Sequence, residues 1–286
     1  MDIAKDKYNV YSIEQQLYAD SGEIYDIQDY LGSGGNATVY EVIDCQGTSY
    51  AVKILLNLGA QSLSRFQQEI RVLRAHNHPH LIKCIDEGTI TATKEGKKYV
   101  LPFMIMEKAD YNLKDYLKKR GTVKFEEYMS QFCGLSEALS VLNKKVVHRD
   151  IKLENILVIG ERWVLSDLGL CSFLSKEEHE DLTRIGEKVG PKYWMSPEAI
   201  NKIYDTHIDI IPASDVFQLA AVFWFVVNGR YPLGIVTKED WVNKDKEICE
   251  LLMQSLSHNF EVRPKDGEEF HSCFMSIRKV YEEKKV

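Results

Sequence analysis

The strongest constraint on how this chain can fold is a change of hydrophobic period near residue 107. Before it, apolar residues alternate or gather in short runs: Ile24-Tyr25-Asp26-Ile27, Ala37-Thr38-Val39-Tyr40, Tyr50-Ala51-Val52-Lys53-Ile54-Leu55, Leu81 to Gly88 and Tyr99 to Met106. One helical segment interrupts them, with Phe66, Ile70 and Leu73 on a common face, and it ends at His78-Pro79-His80 because proline cannot continue a helix. Glu107-Lys108-Ala109-Asp110 breaks the strand pattern. Beyond it Leu113, Tyr116 and Leu117, then Tyr128, Phe132, Leu135, Leu139 and Leu142, recur at helical spacing. A length of 286 residues suits one large or two medium domains. The chain therefore reads as an α+β protein of two lobes: an N-terminal extension over 1–23, a strand-rich lobe over 24–106, a hinge over 107–110 and a helical lobe over 111–286. The extension has mixed charge, carries Tyr8, Tyr11 and Tyr18, and is expected as a short helix on the first lobe or a flexible segment.

Several classes are disfavoured. No apolar run follows Met1-Asp2-Ile3-Ala4-Lys5-Asp6-Lys7 and no glycine follows Met1, so neither a signal peptide nor a myristoylation site is read here. The longest apolar stretch, Leu219 to Val227, falls short of the ~20 residues needed to cross a bilayer. The expectation is a cytoplasmic protein without membrane insertion. A formal charge of −7 and short basic runs such as Lys118-Lys119-Arg120 point away from nucleic acid. Cysteines 45, 84, 133, 171, 249 and 273 are scattered, which suits thiols, mostly buried, better than a zinc or disulfide framework. His76, His78 and His80 lie close together, but no nearby acidic or cysteine ligand completes a metal site.

Three stretches carry chemistry. Leu31-Gly32-Ser33-Gly34-Gly35-Asn36-Ala37 is a glycine-rich turn between strands, able to bring backbone N–H groups close to an anion. Lys53 sits inside a β-branched run, where an ammonium is costly to bury without a partner. Val147-His148-Arg149-Asp150-Ile151-Lys152-Leu153-Glu154-Asn155 combines an aspartate able to take a proton, a lysine and an asparagine within apolar boundaries. That set asks for a phosphate and a metal.

In order and spacing these motifs resemble those of the eukaryotic-type protein kinase family, over roughly residues 24 to 280. The resemblance implies a bilobal kinase fold: a small lobe with a five-stranded antiparallel sheet and one main helix, and a larger, mainly α-helical lobe. It implies transfer of the γ-phosphate of ATP to protein hydroxyls, with protein substrates as partners. Gly32, Ser33, Gly34, Gly35 and Val39 would cover the phosphates, with Ala37 replacing the loop's third glycine. Ala51, Met106, Glu107 and Ala109 would surround the adenine. Lys53, held by Glu69 of the helix rather than by Glu41, would bind the α/β-phosphates. Asp150 would be the catalytic base and Lys152 would neutralise the γ-phosphate. Asn155 and Asp167, the latter in Asp167-Leu168-Gly169, would hold Mg²⁺, with Mn²⁺ as an alternative. Ser196-Pro197-Glu198 and its expected partner Arg263, with Asp215 in the most apolar helix, would be structural.

The acceptor is left open by two opposed signals. Lys152 follows the serine/threonine-kinase pattern, whereas Pro191-Lys192-Tyr193-Trp194-Met195-Ser196-Pro197-Glu198 resembles the tyrosine-kinase segment. Serine/threonine or dual specificity, with autophosphorylation, is preferred over tyrosine specificity. Glu187 stands where family members carry an activating phosphate and is expected to pair with Arg149. A pseudokinase would normally lack one of Lys53, Asp150, Asn155 or Asp167, and a small-molecule kinase would lack the long segment ending at Glu198. The stretch from Tyr231 to Lys246 is short for the family's docking helix.

Overall fold

The computed structural model describes residues 1–4, 10–175, 190, 193–205, 207–243 and 245–283. Pro191, Lys192 and Glu187 lie outside the described residues. The chain divides into two compact units: Met1–Asn77 with Ile82–Ala109, and His78–Leu81 with Asp110–Val286. Among the described residues no helix is long and apolar enough to cross a membrane.

The first unit contains strands β1 (Asp2–Ala4), β2 (Val10–Ile13), β3 (Gln16–Tyr18), β4 (Ile24–Ser33), β5 (Ala37–Ile43) and β6 (Ser49–Leu55), helix α1 (Ala60–Ala75), and strands β7 (Cys84–Lys94) and β8 (Lys97–Glu107). All eight strands belong to one antiparallel sheet, ordered β1-β2-β7-β8-β6-β5-β4-β3. The expected count of five is therefore corrected to eight, and β1, β2 and β3 are strands within the segment 1–23, expected as a short helix or flexible extension. Their alternation is real, since Tyr11, Ile13 and Leu17 are buried between exposed neighbours, but each run is only three or four residues long. Such runs are too short to stand out as a period.

These added strands close the curled sheet on itself. Ser12 and Ile13 pair with Thr93 and Ala92 of β7, residues 16 to 18 pair with β4, and Ala19 then bridges back to Gly88 of β7. Asp20 N–H donates to the Glu87 carbonyl at 2.8 Å, continuing the seam. Gly88 is needed there, because a Cβ would lie 2.7 Å from the Phe103 ring. Inside the ring, Tyr11, Leu17, Ile27, Val42, Val52, Ile54, Phe103 and Ile105 form one core. Side chains alternate across a strand, so Val39, Glu41, Ala51, Lys53, Met104 and Met106 share the opposite face.

The second unit is built on α3 (Phe125–Leu142) and α5 (Pro212–Asn228), with β9 (Tyr111–Asn112), α2 (Leu113–Arg120), β10 (Val146–Val147), β11 (Ile156–Ile159), β12 (Arg162–Leu165), β13 (Ser172–Phe173), α4 (Pro197–Asn201), α6 (Lys246–Ser255) and α7 (Gly267–Glu283). Proline in the first turn of α5 and Gly229 at φ 68° past its end set its limits. Phe132 of α3 stacks on Phe223 of α5 with centroids 3.7 Å apart, and Phe270 and Phe274 of α7 close the cluster. Replacing a buried phenylalanine of this kind by alanine costs about 3–5 kcal/mol. Among the described residues between Tyr231 and Lys246, the helical structure is a 3₁₀ turn, Lys238–Asp240. Of the cysteines, 133, 171 and 249 are buried, 84 and 273 half-buried and 45 exposed, so burial is less general than expected.

Candidate active site

Each unit carries its own set of candidate residues. In the first, Gly32 and Ser33 end β4 opposite Val39 and Thr38 of β5, and Gly34 N–H donates to the Ala37 carbonyl at 2.9 Å, tightening the turn that includes Gly35. Among the described residues nothing lies within 4 Å of a Cβ built on Gly32, Gly34 or Gly35. Lys53 projects from the centre of β6, where Val39 and Met104 flank it in register. Its Nζ donates to both Glu69 oxygens at 2.8 Å, and Glu69 is buried on α1. Ala51 is buried in the next row, opposite Met106 of β8. Glu107 ends β8, its N–H donating to the Lys83 carbonyl at 3.2 Å, and Ala109 closes the unit. Glu41, the partner set aside for Lys53, instead binds Lys108 at 2.6 Å.

In the second unit the backbone of residues 148–151 is fixed by side chains of α5. Asp215, fully buried, accepts from the N–H groups of His148 at 2.7 Å and Arg149 at 2.9 Å and from Asn143 Nδ2 at 3.0 Å. Gln218 accepts from Ile151 N–H at 2.9 Å and donates to the Arg149 carbonyl at 3.2 Å. Arg149 is thereby held at φ 71°, and Asp167 stands at φ 59°. Left-handed backbone at residues other than glycine costs of order 1–3 kcal/mol and persists where the surroundings over-determine it, often at functional sites.

On this support Asp150 presents an asymmetric carboxylate. Its Oδ2 accepts from Lys152 Nζ at 2.8 Å and from Asn155 Nδ2 at 2.7 Å, while Oδ1 receives no hydrogen bond from the described residues. Burial pushes its pKa above the usual aspartate value and Asp167 acts in the same direction, against the opposing pull of Lys152. Asn155 also donates to the Asp150 carbonyl at 2.9 Å, so its amide oxygen is turned away from Asp150. The β11–β12 hairpin brings Asn155 and Asp167 to neighbouring positions, because Ile156 pairs with Leu165 and Ser166 donates both N–H and Oγ to the Asn155 carbonyl at 2.9 Å. Among the described residues no group of three or more His, Cys, Asp or Glu side chains could hold a metal. An amide oxygen and a carboxylate fit a hard cation that completes its shell with water and phosphate oxygens.

Farther along, Arg263 binds Glu198 through two N–H···O bonds of 2.8 and 3.1 Å. Burial would raise the Glu198 pKa, but hydrogen bonds from Arg263 and Ser214 outweigh it and hold the carboxyl below the usual range. Asn143, Gln218 and Ser166 were not singled out in the sequence. Gln218, a polar residue in the most apolar helix and three positions from Asp215, was the readable signal.

Comparison with known proteins finds a family and several relatives. A protein kinase domain model matches residues 25–280. The chain is 26% identical over 74% of its length to the dual specificity protein kinase TTK of Mus musculus, covering 25% of that protein. It is 28% identical over 74% of its length to the probable serine/threonine-protein kinase PknB of Bifidobacterium longum, covering 31% of it. With the serine/threonine-protein kinase PknA of Mycobacterium tuberculosis it shares 27% identity over 73% of its length, covering 48% of that relative. The match thus spans from a quarter to about half of these relatives.

Proposed function

The chain belongs to the protein kinase family, and on that premise we propose that it transfers the γ-phosphate of ATP to serine or threonine hydroxyls of protein substrates, with tyrosine as an additional acceptor, and that it phosphorylates itself. The observation that carries this reading is the Asp150 carboxylate, anchored through Oδ2 by Lys152 and Asn155 with Oδ1 left to accept a proton. The acceptor oxygen forms its bond to the γ-phosphorus as the bond to the β-phosphate oxygen breaks. Its proton passes to Asp150, and ADP departs. Lys152 neutralises charge on the phosphoryl group in flight, and Lys53, fixed by Glu69, holds the α/β-phosphates. The transition state is loose, so the protein contributes alignment and charge rather than covalent chemistry. Asn155 and Asp167 would hold Mg²⁺, or Mn²⁺ in its place, which when bound screens the phosphate oxygens. The site would serve a cytoplasmic enzyme.

Tyrosine specificity is the second reading. It draws on the sequence from Pro191 to Glu198 and on half-exposed Tyr193 and Tyr231, whose ring centroids lie 5.3 Å apart and offer a face to an acceptor ring. Mass spectrometry after incubation with MgATP, beside an Asp150→Asn control, tests both. Phosphate on serine and threonine, with or without tyrosine, and lost in the variant, supports the first. Phosphate on tyrosine alone supports the second. No phosphate on the chain or on added protein in either sample refutes protein kinase activity.

A further inference from the structure

The first unit carries a second ion pair that the reaction chemistry leaves unassigned. On the sheet face opposite the core, Val39, Lys53 and Met104 form one row across β5, β6 and β8, and Glu41, Ala51 and Met106 form the next. Ser49, two residues before Ala51 on the same face of β6, begins a third. Lys108, just past the end of β8, donates to Glu41 Oε1 at 2.6 Å, and Ser49 Oγ donates to that same oxygen at 2.5 Å. Because β6 lies between β8 and β5, the bond from Lys108 to Glu41 passes over the middle strand. It forms a bar across the sheet face, on the side of the Ala51–Met106 row away from the Lys53–Glu69 pair.

The bar has a built character. The side chains of Lys108 and Glu41 are 33% and 18% exposed, so the pair is neither a solvated surface contact nor a sealed one. Hydrogen bonds from Lys108 and then Ser49 keep the Glu41 carboxyl below its ordinary range, hence charged at neutral pH. Lys108 is flanked in sequence by Glu107 and Ala109, which the family resemblance places around the adenine. Tethering the side chain between them to β5 restrains that backbone before any ligand arrives, which lowers the ordering cost of binding.

We propose that Glu41 and Lys108, with Ser49 as their shared support, are positioning residues for the nucleotide base: they fix the backbone of residues 107–109 against β5 and bound the strip that carries Ala51 and Met106. This rests on the kinase reading above.

The test is calorimetric titration of a non-hydrolysable ATP analogue with Mg²⁺ into the wild type, Glu41→Gln, Lys108→Met, Ser49→Ala and the exchanged pair Glu41→Lys/Lys108→Glu, with steady-state kinetics alongside. Each charge-removing variant should weaken binding about three- to tenfold, the scale of a partly exposed pair combined with lost preorganisation, and the loss should fall on KM for ATP rather than on kcat. The exchanged pair should recover most of the affinity, which a purely structural role would not require. Ser49→Ala keeps both charges and should give a smaller rise in KM; it carries the test if a charge variant fails to fold by circular dichroism. Affinities within twofold of wild type in folded variants, or an exchanged pair no better than the single variants, overturn the proposal. Wild-type protein that binds no analogue refutes the kinase reading itself, a result distinguishable from unchanged variants.

Discussion

Two salt bridges in this molecule treat their cations in opposite ways. The Arg263 side chain is 0% exposed and uses all five of its N–H donors: two on Glu198 and the others on the carbonyls of Ser257, Ala213 and His258. Its guanidinium also lies 5.0 Å from the centre of the Phe217 ring. Lys53 binds Glu69 as closely, yet 17% of its side chain is exposed while Glu69 is almost wholly covered. A cation whose donors are all spent on the protein can only hold the fold. One that keeps access to solvent beside a fixed carboxylate can also meet an anion. The same contrast separates the aspartates, since Asp215 is fully buried under three donors whereas Asp150 keeps one oxygen uncommitted.

Exchanging side chains at these positions tests the contrast. The largest effect is expected from Arg263→Leu, which leaves Glu198 buried without its cation; breaking such a pair costs about 3–5 kcal/mol, readable by chemical denaturation. A loss below about 1 kcal/mol would show that the pair is not the structural one. Next comes Lys53→Arg, which keeps a cation beside Glu69 but moves its donors. Turnover (kcat/KM) should fall about 10²- to 10³-fold, the scale of removing one aligned electrostatic contact, with stability within about 1 kcal/mol of wild type. If instead stability collapses and activity survives, the two pairs have been assigned the wrong way round. The smallest effect is in pH. Because the folded-state pKa of Glu198 is depressed, its contribution to stability is complete above the ordinary carboxyl range and is lost as pH falls through the folded value. Melting temperature should therefore drop on acidification below about pH 4, less steeply in Arg263→Leu, where the cause of the depression is gone.

Much of this was legible because function puts polar groups where packing does not want them. Lys53 inside a β-branched run and Asp150, Lys152 and Asn155 between apolar residues are conspicuous in the sequence. Helix α3 was legible because its apolar period is sustained from Tyr128 to Leu142, the last residue of the helix. Residues whose task is to hold backbone were not. Asn143 and Gln218 act on peptide groups of residues 146 to 151, and nothing in their immediate neighbours announces it. Glu41 was noticed only as a rival for Lys53, since its true partner, Lys108, lies across an intervening strand. The N-terminal strands escaped because each is shorter than the window in which alternation becomes visible.

Those strands carry a consequence for how the molecule is made. The hairpins β4–β5–β6 and β7–β8 join residues close in sequence and can form as soon as they are synthesised. The seam from Ala19 to Gly88 cannot, and β2 has no sheet partner except β1 until β7 has emerged. The ends of the chain segment must then be brought together over a long loop, a step that slows as sequence separation grows. Strands β1 and β2 are synthesised before β7 yet are among the last to find their place, and the edge of β7 stays open to other chains until they do.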